Sequence, residues 1–188
     1  MMGAGGTDSE NDAVEIARRI VGRLSTGTRE TLAVAESLTC GRVQAAIGAV
    51  SGASVVFLGG VTAYSIEQKA RHLGVDATAA APCEAVSARV AREMARGACR
   101  MFGSDWAIAT TGFAEPRPAQ GKAQPMAFFA VARRRIGANA GTEMDVVAEQ
   151  FAEFPGAGRM EAQRAVVVRA LLLLEQMLGT TGPSAGTR

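Results

Sequence analysis

Apolar residues return at helical spacing over residues 12–24, where Val14, Ala17, Ile20, Val21 and Leu24 share one face. The same spacing recurs over 84–102, through Val86, Val90, Met94 and Ala98, and over 160–178. Shorter helices are predicted at 42–50, ended by Ser51-Gly52, and at 65–73, stopped by Gly74. Between them lie short apolar runs at 31–35, 55–64, 106–111, 126–132 and 144–151, the length of buried strands. Gly59-Gly60 inside the second run predicts a bulge or a close backbone approach. The last two runs read as a hairpin, with Arg133 to Arg135 and the Gly137–Gly141 turn at its end. Alternating strands and helices followed by two adjacent strands predict an α/β fold, a three-layer α/β/α sandwich with a mixed, mostly parallel sheet. One domain is expected at 12–178, between low-complexity tails at 1–11 and 179–188. No internal repeat is visible.

Composition narrows the function. The 188 residues carry a net charge of +2, 48% hydrophobic residues and a mean hydropathy of +0.12. This excludes a disordered chain and offers no global field for nucleic acid or a membrane surface. The longest wholly apolar run, 126–132, is too short to span a bilayer. No signal peptide pattern opens the chain. Cys40, Cys83 and Cys99 lie far apart with no C-x-x-C, which fits a reducing compartment, so a cytoplasmic protein is expected. His72 is the only histidine, which excludes most multi-His metal centres, and no metal is expected. Arginine outnumbers lysine 18 to two. Where Arg serves as the general cation, the surviving Lys69 and Lys122 are candidates for work that needs a titratable amine.

Three strand ends carry polar residues. Ser37 follows the first strand just before a helix, whose free N–H groups favour anions and oxyanions. Taken alone, Ser37 or Thr39 reads more simply as a helix cap. Tyr64 closes the second strand, and Lys69 stands about one turn into the next helix. A Ser, Tyr and Lys brought together form a His-free nucleophilic set, in which a lysine of lowered pKa takes the serine proton. The simpler reading is a solvated Lys and a Tyr against the core. Thr111-Gly112 ends the third strand, and Glu115 to Pro125 reads as a mobile loop over the same rim.

Together these segments resemble the CinA C-terminal domain family, whose standalone members are nicotinamide-nucleotide amidases. Its A-E-S-C-T-G-G motif is similar to Ala35-Glu-Ser-Leu-Thr-Cys-Gly41. Its G-G-x-x-x-Y-S-N-E-x-K motif is similar to Gly59-Gly-Val-Thr-Ala-Tyr-Ser-Ile-Glu-Gln-Lys69, and T-G-I-A-G-P to Thr111-Gly-Phe-Ala-Glu-Pro116. The resemblance covers 12–178 and implies Ser37 as nucleophile with Tyr64 and Lys69 as partners. It implies substrate binding by Glu36, Thr39, Gly41, Thr111, Gly112 and Lys122. The implied reaction converts nicotinamide mononucleotide to nicotinic acid mononucleotide and ammonia without a cofactor, in a homo-oligomer with no nucleic-acid or membrane partner. Ser37 is then expected within hydrogen-bond reach of Tyr64 or Lys69, directly or through one water. Departures are Leu38 for cysteine, Cys40 for glycine, Ile66 for asparagine, Glu115 for glycine, and Gly158-Arg159 as the remnant of G-D-R. Glu115 is expected to repel a phosphate by about a kcal/mol or more. A catalytically altered member that binds a nucleotide or serves as an interaction module is the alternative.

Overall fold

The structure is a computed structural model that describes residues 5–26, 29–135 and 143–180. The chain runs α1 (Gly5–Ser25), β1 (Leu32–Glu36), α2 (Arg42–Gly48), β2 (Phe57–Thr62), α3 (Ile66–Leu73), α4 (Ala77–Ala80), α5 (Ala88–Phe102), β3 (Trp106–Phe113), β4 (Met126–Arg134), β5 (Met144–Glu153) and α6 (Arg159–Thr180). The five strands form one sheet in the order β2-β1-β3-β4-β5. β1 pairs parallel with β2 and β3, while β3–β4 and β4–β5 are antiparallel, so only β4 runs against the rest.

Strand alternation divides the core in two. Leu32, Val34, Trp106, Ile108, Phe129 and Val131 face α1, α2 and α6. The opposite face presents alanine at Ala33, Ala35, Ala107, Ala109, Ala130 and Ala132, against α3, α4 and α5. Methyl-sized side chains let α5 pack close, and Met94, Ala95 and Ala98 meet them fully buried. This is the expected three-layer sandwich with a mixed sheet.

Element ends moved where capping overrode periodicity. α1 starts at Gly5, inside the segment expected to be a tail. α5 starts at Ala88, not at residue 84, because Ser87 caps it by accepting from Val90 N–H at 3.2 Å. Ahead of that cap, Glu84 and Ala85 adopt φ of 50° and 55°, a left-handed pair no helix can include. Short α4, capped by Asp76, was not foreseen. The bulge expected at Gly59-Gly60 is present as a register shift, Leu32 pairing with Phe57 and Ala33 with Gly59, and a Cβ at Gly59 or Gly60 would press on the side chains of Phe102 or Gln44. The Gly137–Gly141 turn and the tail from 181 lie outside the described residues.

Candidate active site

The carboxyl ends of β1 and β3 build the site, and the Ser37 turn is held from all sides. Glu36, fully buried, turns its carboxylate on the start of α2. It accepts from Gly41 N–H (2.9 Å), Val43 N–H (3.2 Å) and Gln44 N–H (3.0 Å). These are the orphan donors of a helix N-terminus, and a carboxylate is their natural partner. The first-turn N–H groups of α2 thus serve the Glu36 carboxylate, and Glu36 and Gly41 brace the turn. The N–H groups of Leu38 and Thr39, which directly follow Ser37, are not used by Glu36.

Thr39 is fully buried and its hydroxyl meets that of Thr110 at 2.8 Å, so it too anchors the turn. Buried Gln163 of α6 donates through Nε2 to the Leu38 carbonyl at 2.7 Å, and Arg42 donates to the Thr39 carbonyl at 3.3 Å. At the far end of the turn Cys40 takes φ 49° and Gly41 φ 88°. A non-glycine residue there is strained by about 1–2 kcal/mol. Ser37 itself is 5% exposed at the head of this braced loop.

Lys69 is not the solvated helix-surface residue of the simpler reading. Only 2% of it is exposed. Its Nζ donates to the Ala85 carbonyl and to Thr111 Oγ1, each at 3.1 Å, and Thr111 Oγ1 donates in turn to Ala85 O at 2.8 Å. The left-handed Glu84–Ala85 pair is what swings that carbonyl onto the amine. Both acceptors are uncharged, and burial therefore pulls the Lys69 pKa down to about 8, with the nearby Cys83 thiol opposing it. A neutral amine has two N–H donors and one lone pair. With both donors committed, the lone pair is left for a proton from elsewhere.

Register connects Ser37 to this amine. β1 pairs with β3 as far as Ala35↔Ala109, so Ser37, one residue past the end of β1, leaves the sheet beside the strand that carries Thr111 two residues further on. Thr111 lies on the Ala107–Ala109 face of β3, the face on which it holds Lys69. Among the described residues no direct hydrogen bond joins Ser37 to Lys69 or Tyr64.

Tyr64 lies on the rim, 56% exposed, and its hydroxyl accepts from Arg159 Nη2 at 3.0 Å. Arg159 also pairs with Glu115 at 3.0 Å. The expected repulsion from Glu115 is thus offset by a guanidinium one hydrogen bond away. Arg159 was missed as a site residue. Its signal was the arginine surviving in Gly158-Arg159 at the start of α6. Gln163 gave no comparable signal. Gly112 is half-buried, and a Cβ there would overlap the Met126 carbonyl oxygen, so strand approach explains this glycine without a ligand. Lys122 is exposed in the β3–β4 loop, where its backbone pairs with Arg117 in both directions.

A family model described as the CinA C-terminal domain matches residues 14–178. A CinA-like protein from Picosynechococcus sp. is 43% identical over 113 residues, 60% of this chain and 27% of that protein. Another from Frankia casuarinae is 40% identical over 121 residues, 64% of this chain and 27% of its own length. The chain spans about a quarter of the length of the curated relatives it matches. Among solved structures, the competence/damage inducible protein CihA from Agrobacterium tumefaciens superposes with a TM-score of 0.74 at 29% identity, covering 89% of this chain and 96% of the other. A CinA superfamily protein from Klebsiella pneumoniae does so with a TM-score of 0.74 at 26% identity, covering 92% and 98%. Among the described residues no helix is long and apolar enough to cross a membrane.

Proposed function

Because the chain belongs to the CinA C-terminal domain family, we propose that it is an amidohydrolase that deamidates a pyridine nucleotide, nicotinamide mononucleotide, with Ser37 as nucleophile and Lys69 as its base. The observation that carries this reading is the buried Lys69 amine, held among the described residues only by Ala85 O and Thr111 Oγ1, with a pKa lowered to about 8. An amine in that state takes a proton near neutral pH, which a solvated lysine does not.

Ser37 Oγ attacks the carboxamide carbon while its proton passes to Lys69. The Leu38 N–H, the first after the nucleophile and without a hydrogen-bond acceptor among the described residues, serves as donor to the oxyanion. Lys69 returns the proton to the nitrogen, the C–N bond breaks, and ammonia leaves. Water then attacks the acyl-serine, giving the nicotinic acid nucleotide and free Ser37. Tyr64, its oxygen held by Arg159, keeps its own O–H for the leaving group or the nucleotide. Arg159 supplies the positive charge for a phosphate at the rim. No metal or organic cofactor takes part in these steps, and the assembly we propose is a homo-oligomer.

The test is ammonia release from nicotinamide mononucleotide, compared with nicotinamide and a panel of small amides. We expect turnover of the nucleotide that Ser37→Ala abolishes. Equal turnover by Ser37→Ala rules the mechanism out. One observation favours the alternative of a binding module without turnover: Glu36 occupies the α2 N–H groups that would otherwise serve an oxyanion. Nucleotide binding with no ammonia release from any amide would select that reading.

A further inference from the structure

On the face of the sheet opposite Lys69, the helices α1, α2 and α6 do not close fully on one another. They leave a cavity of about 330 Å³, a size that holds small organic ligands. Its floor is apolar, made by Ala13 and Val14 of α1, Ala45 and Ala46 of α2 and Val167 of α6. Alanine at three of these five positions explains the space: the side chains are too short to fill the junction of three helices.

The polar part of the wall names the ligand. Two arginines and one glutamate line it, Arg42, Arg164 and Glu10, a surplus of one positive charge. Arg164 Nε donates to the exposed Glu10 carboxylate at 3.0 Å, and its terminal nitrogens have no partner among the described residues. Arg42 is half-buried and has no carboxylate partner among the described residues. Its guanidinium donates to the Met160 thioether at 3.4 Å and to the Thr39 carbonyl at 3.3 Å. A thioether is a weak acceptor, and the carbonyl bond is long. A carboxylate accepts from such a fork far better, in a charge-assisted pair. One surplus charge matches a monoanion, and a floor of alanine and valine matches an alkyl body. A sugar phosphate, polar throughout and doubly charged, matches neither.

Arg42 also ties the cavity to the Ser37 turn. The carbonyl it braces belongs to Thr39, and the sulfur it touches belongs to Met160, the neighbour of Arg159. An anion that takes this guanidinium takes it from the turn. We propose that the cavity is an effector site for an apolar monocarboxylate, paired with Arg42 and Arg164, whose binding releases the Ser37 turn from its Arg42 brace. The site stands whether or not Ser37 is a nucleophile.

The test therefore reads binding and the turn, not turnover. The full chain is titrated by calorimetry with octanoate, with acetate, which lacks the body, and with octanamide, which lacks the charge. We expect octanoate to bind at least about tenfold more tightly than either. Arg164→Gln should weaken octanoate about tenfold. Ala45→Leu, which fills the cavity, should abolish its binding. Ala45 is exposed and the Arg164–Glu10 pair is open to solvent, so both variants should fold, as thermal melts confirm. Saturating octanoate should speed hydrogen exchange over residues 37–42 of wild type. No binding, equal affinity for the three probes, octanoate binding that survives both substitutions, or unchanged exchange over 37–42 overturns the proposal. Octanoate affinity that falls as protein concentration rises would mean that a second copy of the chain covers the cavity, and overturns it too.

Discussion

Replacing Lys69 by methionine should stabilise the protein while destroying its activity. The amine is 2% exposed, has two neutral acceptors, and titrates near 8 in place of 10.5. At about 1.36 kcal/mol per pKa unit, the folded state loses roughly 3 kcal/mol by holding this lysine charged. The folded pKa is the lower one, so between pH 8 and 10.5 the unfolded chain binds more protons. Stability therefore rises with pH across that window, and the full penalty is present below about 8. Methionine fills the channel without a charge, and Thr111 still donates to Ala85 O, so no buried carbonyl loses its only partner. Urea denaturation at pH 7 should show Lys69→Met more stable than wild type by about 1–3 kcal/mol, with the gap closing towards pH 10.5. Amidase turnover should fall by about 10²–10⁴-fold. A variant that is less stable at pH 7, with the wild-type pH slope unchanged, would show that the amine is not desolvated and that the base assignment fails. Lys69→Arg is a poorer probe than a surface position would make it, because a guanidinium with five donors does not fit a channel with two acceptors.

Other consequences are open to direct measurement. With Lys69 as the base, kcat/KM for nicotinamide mononucleotide should fall about tenfold per pH unit below about 8, and a profile flat from pH 6 to 8 would contradict it. Cys40→Gly should raise the stability of the folded protein by about 1 kcal/mol, read as a higher Tm, by relieving the left-handed backbone at φ 49°. Gln163→Leu should cost about 1–3 kcal/mol by leaving the buried Leu38 carbonyl unpaired, and should lower kcat more than it changes KM.

The layers of the fold could be read from the chain because apolar periodicity encodes burial directly: Val34 and Ile108 face one helical layer, Ala35 and Ala109 the other. The hairpin of β4 and β5 was equally plain. Helix ends were not, since Ser87 wins the α5 cap only because Glu84 and Ala85 adopt left-handed backbone, which no residue type announces. At the site, Ser37, Tyr64 and Lys69 were visible through their spacing. What that spacing could not give was partnership. The Glu36 carboxylate and the α2 N–H groups satisfy each other across one turn, and Arg159 reaches Tyr64 from 95 residues away. Contacts of that kind depend on how α6 docks on the sheet, which is a property of the packed molecule.

The alanine-lined face between the sheet and α5 acts as a gauge. On the sheet side that layer is lined by methyl groups at Ala33, Ala35, Ala107, Ala109, Ala130 and Ala132, so the sheet has no long side chain at these positions to swing aside and absorb an error. The turn at Glu84–Ala85 leads straight into α5, so its carbonyl inherits the depth of that layer, and through it so does the Lys69 amine. A change as small as Ala107→Val or Ala130→Val, one strand or more from any reacting group, would lift the helix, draw the acceptor off the amine and retune its affinity for a proton. The smallest side chains in the molecule thereby set the tolerance of its buried amine.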